Sequence, residues 1–172
     1  MERRMQNQIS AEVGEIRLPR YREIPDVGLY LEQVTKYISD VLAPLTDSAL
    51  TGSMISNYVK RGLLANPVKK QYSREQIAYL IFIAVGKNVL SMDEIRLMVG
   101  VQQRSYASDI AYNYFCDELE NVLSYILGRK EALDVVGVDS SEEKVMLRTT
   151  IITIANKIYL DKLFAVLQKE EK

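Results

Sequence analysis

From Ser73 to Val85 the chain reads SREQIAYLIFIAV, a helix start followed by a segment that is apolar on nearly every side. Ser73 with Gln76 three residues on forms a capping box, in which hydroxyl and amide satisfy N–H groups that a helix start otherwise leaves unpaired. Ile77, Leu80, Ile81, Ile83, Ala84 and Val85 leave no broad polar stripe, so a helix over Arg74 to about Asn88 has to be covered from two directions. A chain with such a spine folds by packing other helices around it. Tyr72 and Ile77 fit the hydrophobic staple of the same helix, which gives Tyr72 a packing role first.

The remaining periodicities supply those helices. Asp26, after Pro25, is a candidate N-cap for a helix to Leu42, with Leu31, Val34, Ile38 and Leu42 on its inner face and Pro44 as its stop. Thr51 caps a helix from Gly52 to Arg61, closed by Gly62. Ser91 and Glu94 form a second capping box, stapled by Leu90 and Ile95, for a helix ending at Gly100. A fifth helix, Ser105 to Leu127, carries the stripe Tyr112, Phe115, Leu119, Val122 and Ile126. Ser140 with Glu143 caps the last, which runs to about Gln168 with two apolar stripes, one through Val145, Ile152 and Tyr159 and one through Leu147, Ile151 and Ile158. The pattern predicts an all-α fold: an N-terminal segment over 1–25, polar and irregular, as a mobile arm or a strap over the domain; a helical domain over 26–100; and a helical region over 101–172, in the form of a C-terminal helical hairpin.

Several function classes are set aside by what is missing. The chain has no histidine and one cysteine, Cys116, which removes His-dependent triads, a disulfide framework and the usual Cys/His metal sites. No nucleophile has an identifiable base partner, so the chain reads as a non-enzyme without cofactor or metal. With no run of about 18 apolar residues and no apolar core near the N-terminus for a signal peptide, neither a membrane span nor export is expected. The expected location is cytoplasmic.

Net positive charge is concentrated in one place. Between Thr51 and Arg74 lie Lys60, Arg61, Lys69, Lys70 and Arg74 and no carboxylate, in a chain of formal net charge -1. Ser53, Ser56, Asn57 and Lys60 fall at i, i+3, i+4 and i+7, on one face of their helix. Short polar groups with a cation on one stripe suit base edges and phosphates, and paired lysines on a Pro67-stiffened loop suit a wing that reaches phosphate. The plainer reading is the solvated side of an amphipathic helix.

The run from Thr51 to Val99 resembles the winged helix-turn-helix of MerR-type transcription regulators. The resemblance rests on Met54-Ile55, Tyr58, Lys60, Gly62-Leu63-Leu64, Tyr72-Ser73, Leu80 and Leu90-Ser91-Met92-Asp93-Glu94-Ile95. The wider span from Pro25 through Leu29-Tyr30 to Val99 also looks like an uncharacterised bacterial family with a MerR-like domain. The resemblance implies a winged helix-turn-helix with a short wing over 26–100. Ser53, Ser56, Asn57, Lys60 and Arg61 would then face double-stranded DNA from the recognition helix, and Lys69 and Lys70 from the wing. The expected function is a sequence-specific, dimeric DNA-binding transcriptional regulator; the alternative is a protein–protein interaction module on the same scaffold without DNA binding. The wide apolar surface of the last helix predicts a homodimer through the C-terminal helices. Tyr106, Tyr112, Tyr114 and Tyr125 have two readings, a small-molecule effector pocket near Tyr112 or core packing with hydroxyls turned to water, and packing is preferred.

Overall fold

The computed structural model describes residues 2–47, 50–137 and 140–170. Its spine is the helix read from the capping box. Ser73 Oγ accepts from Gln76 N at 3.3 Å, Gln76 Oε1 accepts from Ser73 N at 2.8 Å, and helix α4 occupies Arg74–Gly86. Its eight buried residues, Ile77 to Gly86 in span, face neighbours on more than one side. Around it lie α1 (Glu2–Val13), α2 (Leu31–Leu42), α3 (Gly52–Lys60), α5 (Met92–Ser105), α6 (Ser108–Ile126) and α7 (Glu142–Glu170). Two short strands, β1 (Leu29–Tyr30) and β2 (Gln71–Tyr72), pair antiparallel with Leu29 opposite Tyr72 and Tyr30 opposite Gln71. The described protein is thus mostly helical, with a very small sheet.

One continuous apolar core runs from Ile9 to Val166. Residues 2–25 contribute to it, in keeping with the strap and not the mobile arm, and they begin with a helix in place of the expected irregular segment. Residues 2–13 are helical; Ile9, Leu18 and Ile24 are at most 1 % exposed, and α1 lies against α7. The strap after α1 is tied to α6. Leu18 N donates to Glu120 Oε1 at 2.7 Å, and Arg20 donates to both Glu120 oxygens at 2.8 Å while its Nη2 lies 2.8 Å from Asp117. Isolated hydrophobic residues in a charged segment carry too little periodicity to show this, because their partners are a hundred residues away.

Other boundaries move for local reasons. Asp26 does not cap α2: pairing of β1 with β2 keeps the chain extended through Tyr30, and Asp26 Oδ2 sits 3.5 Å from Arg74 Nη1. Helix α5 runs through Gly100 to Ser105, with Met98 and Val99 buried and Gln102 held by the Tyr79 hydroxyl at 2.8 Å. Helix α6 starts at Ser108 because Tyr106 is extended. At the last helix the cap is Ser141, whose Oγ accepts from Lys144 N at 3.4 Å, one residue later than the Ser140–Glu143 box predicts.

The C-terminal helices do not form a hairpin. The connector retraces α6: Asn121 bonds to Asp134 N and O at 3.0 Å, and Gly137 lies beside Tyr114. Helix α7 therefore begins beside the start of α6, and the contacts advance together, Tyr106 to Ser141, Tyr114 to Lys144 and Glu118 to Arg148. The two helices run side by side in the same direction. Along α7 the stripe through Ile151, Ile154 and Ile158 is buried, whereas Val145 is 57 % exposed.

Candidate nucleic-acid interface

Helix α3 is placed by α2. Thr51 Oγ1 accepts from Met54 N at 3.2 Å and starts α3, and a Cβ on Gly52 would come within 3.2 Å of Leu31, so the glycine lets the two helices approach. Ile55 and Tyr58 face the core. The opposite side carries Ser53, Ser56, Asn57, Lys60 and Arg61, at least partly open to water. Gly62, at φ +72°, turns the chain out of the helix, as the left-handed closing position requires.

Beyond Pro67 the chain doubles back in a two-residue hairpin. Val68 N donates to Gln71 O at 3.1 Å and Gln71 N donates to Val68 O at 2.9 Å, leaving Lys69 and Lys70 as the tip. Their φ values are +50° and +64°, the left-handed pair that such a tight hairpin needs and that Asn-Gly ordinarily supplies. For non-glycine residues this conformation costs roughly 1–2 kcal/mol each. Lysine therefore stands at both tip positions against the local backbone preference. Gln71 in turn pairs with Tyr30 of β1, so the hairpin is fastened to the start of α2.

All seven residues proposed from the sequence reach the surface, on α3 and the hairpin tip. Among the described residues, Lys60, Arg61, Lys69 and Lys70 form no ion pair; Arg61 Nη1 touches Met92 Sδ at 3.6 Å. Arg74 behaves differently. It donates to Ile24 O at 2.9 Å, pairs with Asp26 and lies 5.8 Å from the Tyr21 ring centroid, which makes it structural.

The surface around α3 includes groups that the sequence left aside. An open cleft between α2 and α3 is lined by Leu31, Glu32 and Thr35 opposite Ser53, Ser56 and Lys60, so one carboxylate borders the polar face. Arg96 of α5 donates to Arg61 O at 2.9 Å and pairs with Asp93, bringing another cation to the end of α3. Glu32 and Thr35 stand one turn apart on the wet side of an amphipathic helix, which is the signal available for them. Arg96 had none.

Two titratable groups of α6, Cys116 and Tyr112, are buried. Burial pushes the Cys116 thiol up to about 12, and its Sγ lies 3.7 Å from Pro19 O. The buried Tyr112 hydroxyl is pushed upward for the same reason, and it has no hydrogen-bond partner among the described residues. No described helix is long and apolar enough to cross a membrane.

Residues 19–115 match the model of a domain of unknown function, DUF1836. The chain belongs to this family. No curated protein matches the chain, and no solved structure does. The DUF1836 span runs from the strap through the first half of α6, and so includes α3, the hairpin and the spine in one unit.

Proposed function

We propose that this DUF1836 protein is a double-stranded DNA-binding regulator in which α3 enters a groove and the hairpin tip grips the backbone. The reading rests on one observation: four surface cations have no acid partner among the described residues, Lys60 and Arg61 at the end of α3 beside Ser56 and Asn57, and Lys69 and Lys70 at the hairpin tip. Two of them stand at a hairpin tip whose backbone disfavours lysine. Phosphate contacts supply most of the non-specific affinity for a duplex, and polar side chains on an exposed helix face supply base readout. The order α2, α3, hairpin, α4, with β1 beside the hairpin, fits a short-winged helix-turn-helix, and the MerR-type resemblance supports that reading.

A dimer completes the proposal. Leu160, Phe164 and Leu167, at i, i+4 and i+7 on α7, are 41 %, 51 % and 37 % exposed, a stripe suited to a second copy. Two copies would present two α3 faces to half-sites about one helical turn apart. Sedimentation showing a monomer at tens of micromolar would remove this part.

The test is binding to random-sequence duplex at low salt, wild type against Lys60→Glu/Lys69→Glu/Lys70→Glu. Equal retention by both proteins sinks the groove reading. One observation favours the alternative, a protein-interaction module: Val27, Tyr30 and Val68 are 79 %, 53 % and 74 % exposed on and beside the small sheet. In that case neither protein would bind duplex, and a Tyr30→Ser/Val68→Ser variant would lose a protein partner.

A further inference from the structure

A cavity of about 360 Å³ lies away from the α3 face, enclosed by α4, α5, α6 and α7. Its walls are mostly carbon: Phe82 and Ala78 from the spine, Met98 and Val99 from α5, Phe115 from α6 and Leu147 from α7. Ile110, 60 % exposed, borders it and marks where it meets the surface. Volumes of about 300–1,000 Å³ with apolar walls and few polar groups characterise small-molecule sites. Carbon atoms facing unfilled space lose dispersion partners that an apolar guest restores.

The polar groups around the cavity are not equivalent. Tyr79 Oη bonds to Gln102 at 2.8 Å and lies 3.2 Å from Ser108 Oγ, which bonds to Glu75; Gln102 Nε2 bonds to Tyr106 O at 2.7 Å. That network is satisfied internally. Lys144 is different. Its Nζ stands 5.0 Å from the Tyr114 ring centroid and packs against Gly137 so closely that a Cβ there would collide with it. All three residues line the cavity, and Lys144 has no ion-pair partner among the described residues. Glu143 borders the same end, and among the described residues its carboxylate has neither an ion-pair partner nor a contact like those of the ammonium with Tyr114 and Gly137. Both residues lie in the first turn of α7, where unpaired backbone N–H groups favour an anion.

We infer that this cavity binds a small apolar carboxylate, its tail among Phe82, Met98 and Phe115 and its head group on Lys144. The site is separate from α3 and the hairpin, so its fate does not depend on DNA binding.

The experiment compares decanoate, decanol and decylamine, three heads on one tail, by isothermal titration with the full chain. Decanoate is expected to bind at one site per chain at least about tenfold more tightly than decanol, with decylamine weakest. Lys144→Gln, which keeps most of the stem, should erase the preference for acid over alcohol while leaving decanol affinity unchanged. Ala111→Leu, which fills part of the cavity, should weaken all three, with circular dichroism showing that both variants fold. The inference is overturned by any of four results: no binding of decanoate at millimolar concentration, equal affinity for the three heads, preference for decylamine, or a decanoate site untouched by both substitutions.

Discussion

The strap face and the α3 face use the same kinds of residue to opposite ends. On the strap, Arg20 is bound to Glu120 and Asp117 and is 28 % exposed, and Arg148 Nε on α7 lies 3.0 Å from the buried Glu118. On α3 and at the hairpin tip, Lys60, Arg61, Lys69 and Lys70 meet water with no carboxylate in ion-pair reach among the described residues. A paired cation holds elements together, because removing it leaves a desolvated acid behind. An unpaired cation contributes little to folding and is available to a polyanion. Charge alone does not separate the two roles. Whether an acid is delivered to each cation does.

The largest expected effect bears on that contrast directly. Reversing Lys60, Lys69 and Lys70 to Glu should lower duplex affinity about 100-fold or more at low salt, and the neutral Gln triple should reduce the slope of log affinity against log salt by about 3. Both should melt like the wild type; a large loss of stability would mean that these lysines are structural after all. Arg20→Ala should do the reverse. It leaves Glu120 and Asp117 without their cation and should cost about 2 kcal/mol in urea unfolding, less than a fully buried pair because the guanidinium is partly wet. Duplex affinity should not change.

A smaller effect sharpens the comparison within the hairpin. Lys69→Asn/Lys70→Gly gives the turn the residues its backbone prefers and should stabilise the protein by about 1 kcal/mol while weakening duplex binding. Gain in both stability and affinity would show that the lysines do not serve the duplex. The smallest effect concerns the strap side. Cys116 should resist a thiol reagent at pH 8 until the protein is unfolded, when one thiol appears. Because burial raises its value from 9.0 to about 12, the folded state holds a proton that the unfolded state releases. The contribution of Cys116 to stability is constant well below pH 9 and should decline as the pH rises from 9 toward 12.

How much was legible depends on the range of the interactions involved. The capping boxes at Ser73–Gln76 and Ser91–Glu94 close over three residues, and both form as written. The Thr51 cap, the Gly62 exit and the amphipathic split of α3 are equally local, so the seven proposed contact residues could be picked out and their exposure anticipated. Helix lengths were less secure where the deciding partner was distant. Gly100 reads as a stop, yet Gln102 is held by Tyr79 on another helix and α5 continues.

The sequence by itself determined that this chain is helical, that a doubly covered spine begins at Ser73, and that its cations gather over Thr51 to Arg74. Each of these is written in contacts of one turn or in composition. Tertiary structure decided which cations are free, since Arg74 finds Asp26 and Arg20 finds Glu120 across long separations while Lys60, Lys69 and Lys70 find no acid among the described residues. It also decided that residues 2–25 join the core, that α7 runs alongside α6, and that a cavity opens among four helices. Those outcomes depend on which distant surfaces meet, and a one-dimensional pattern of periodicity carries no record of that choice.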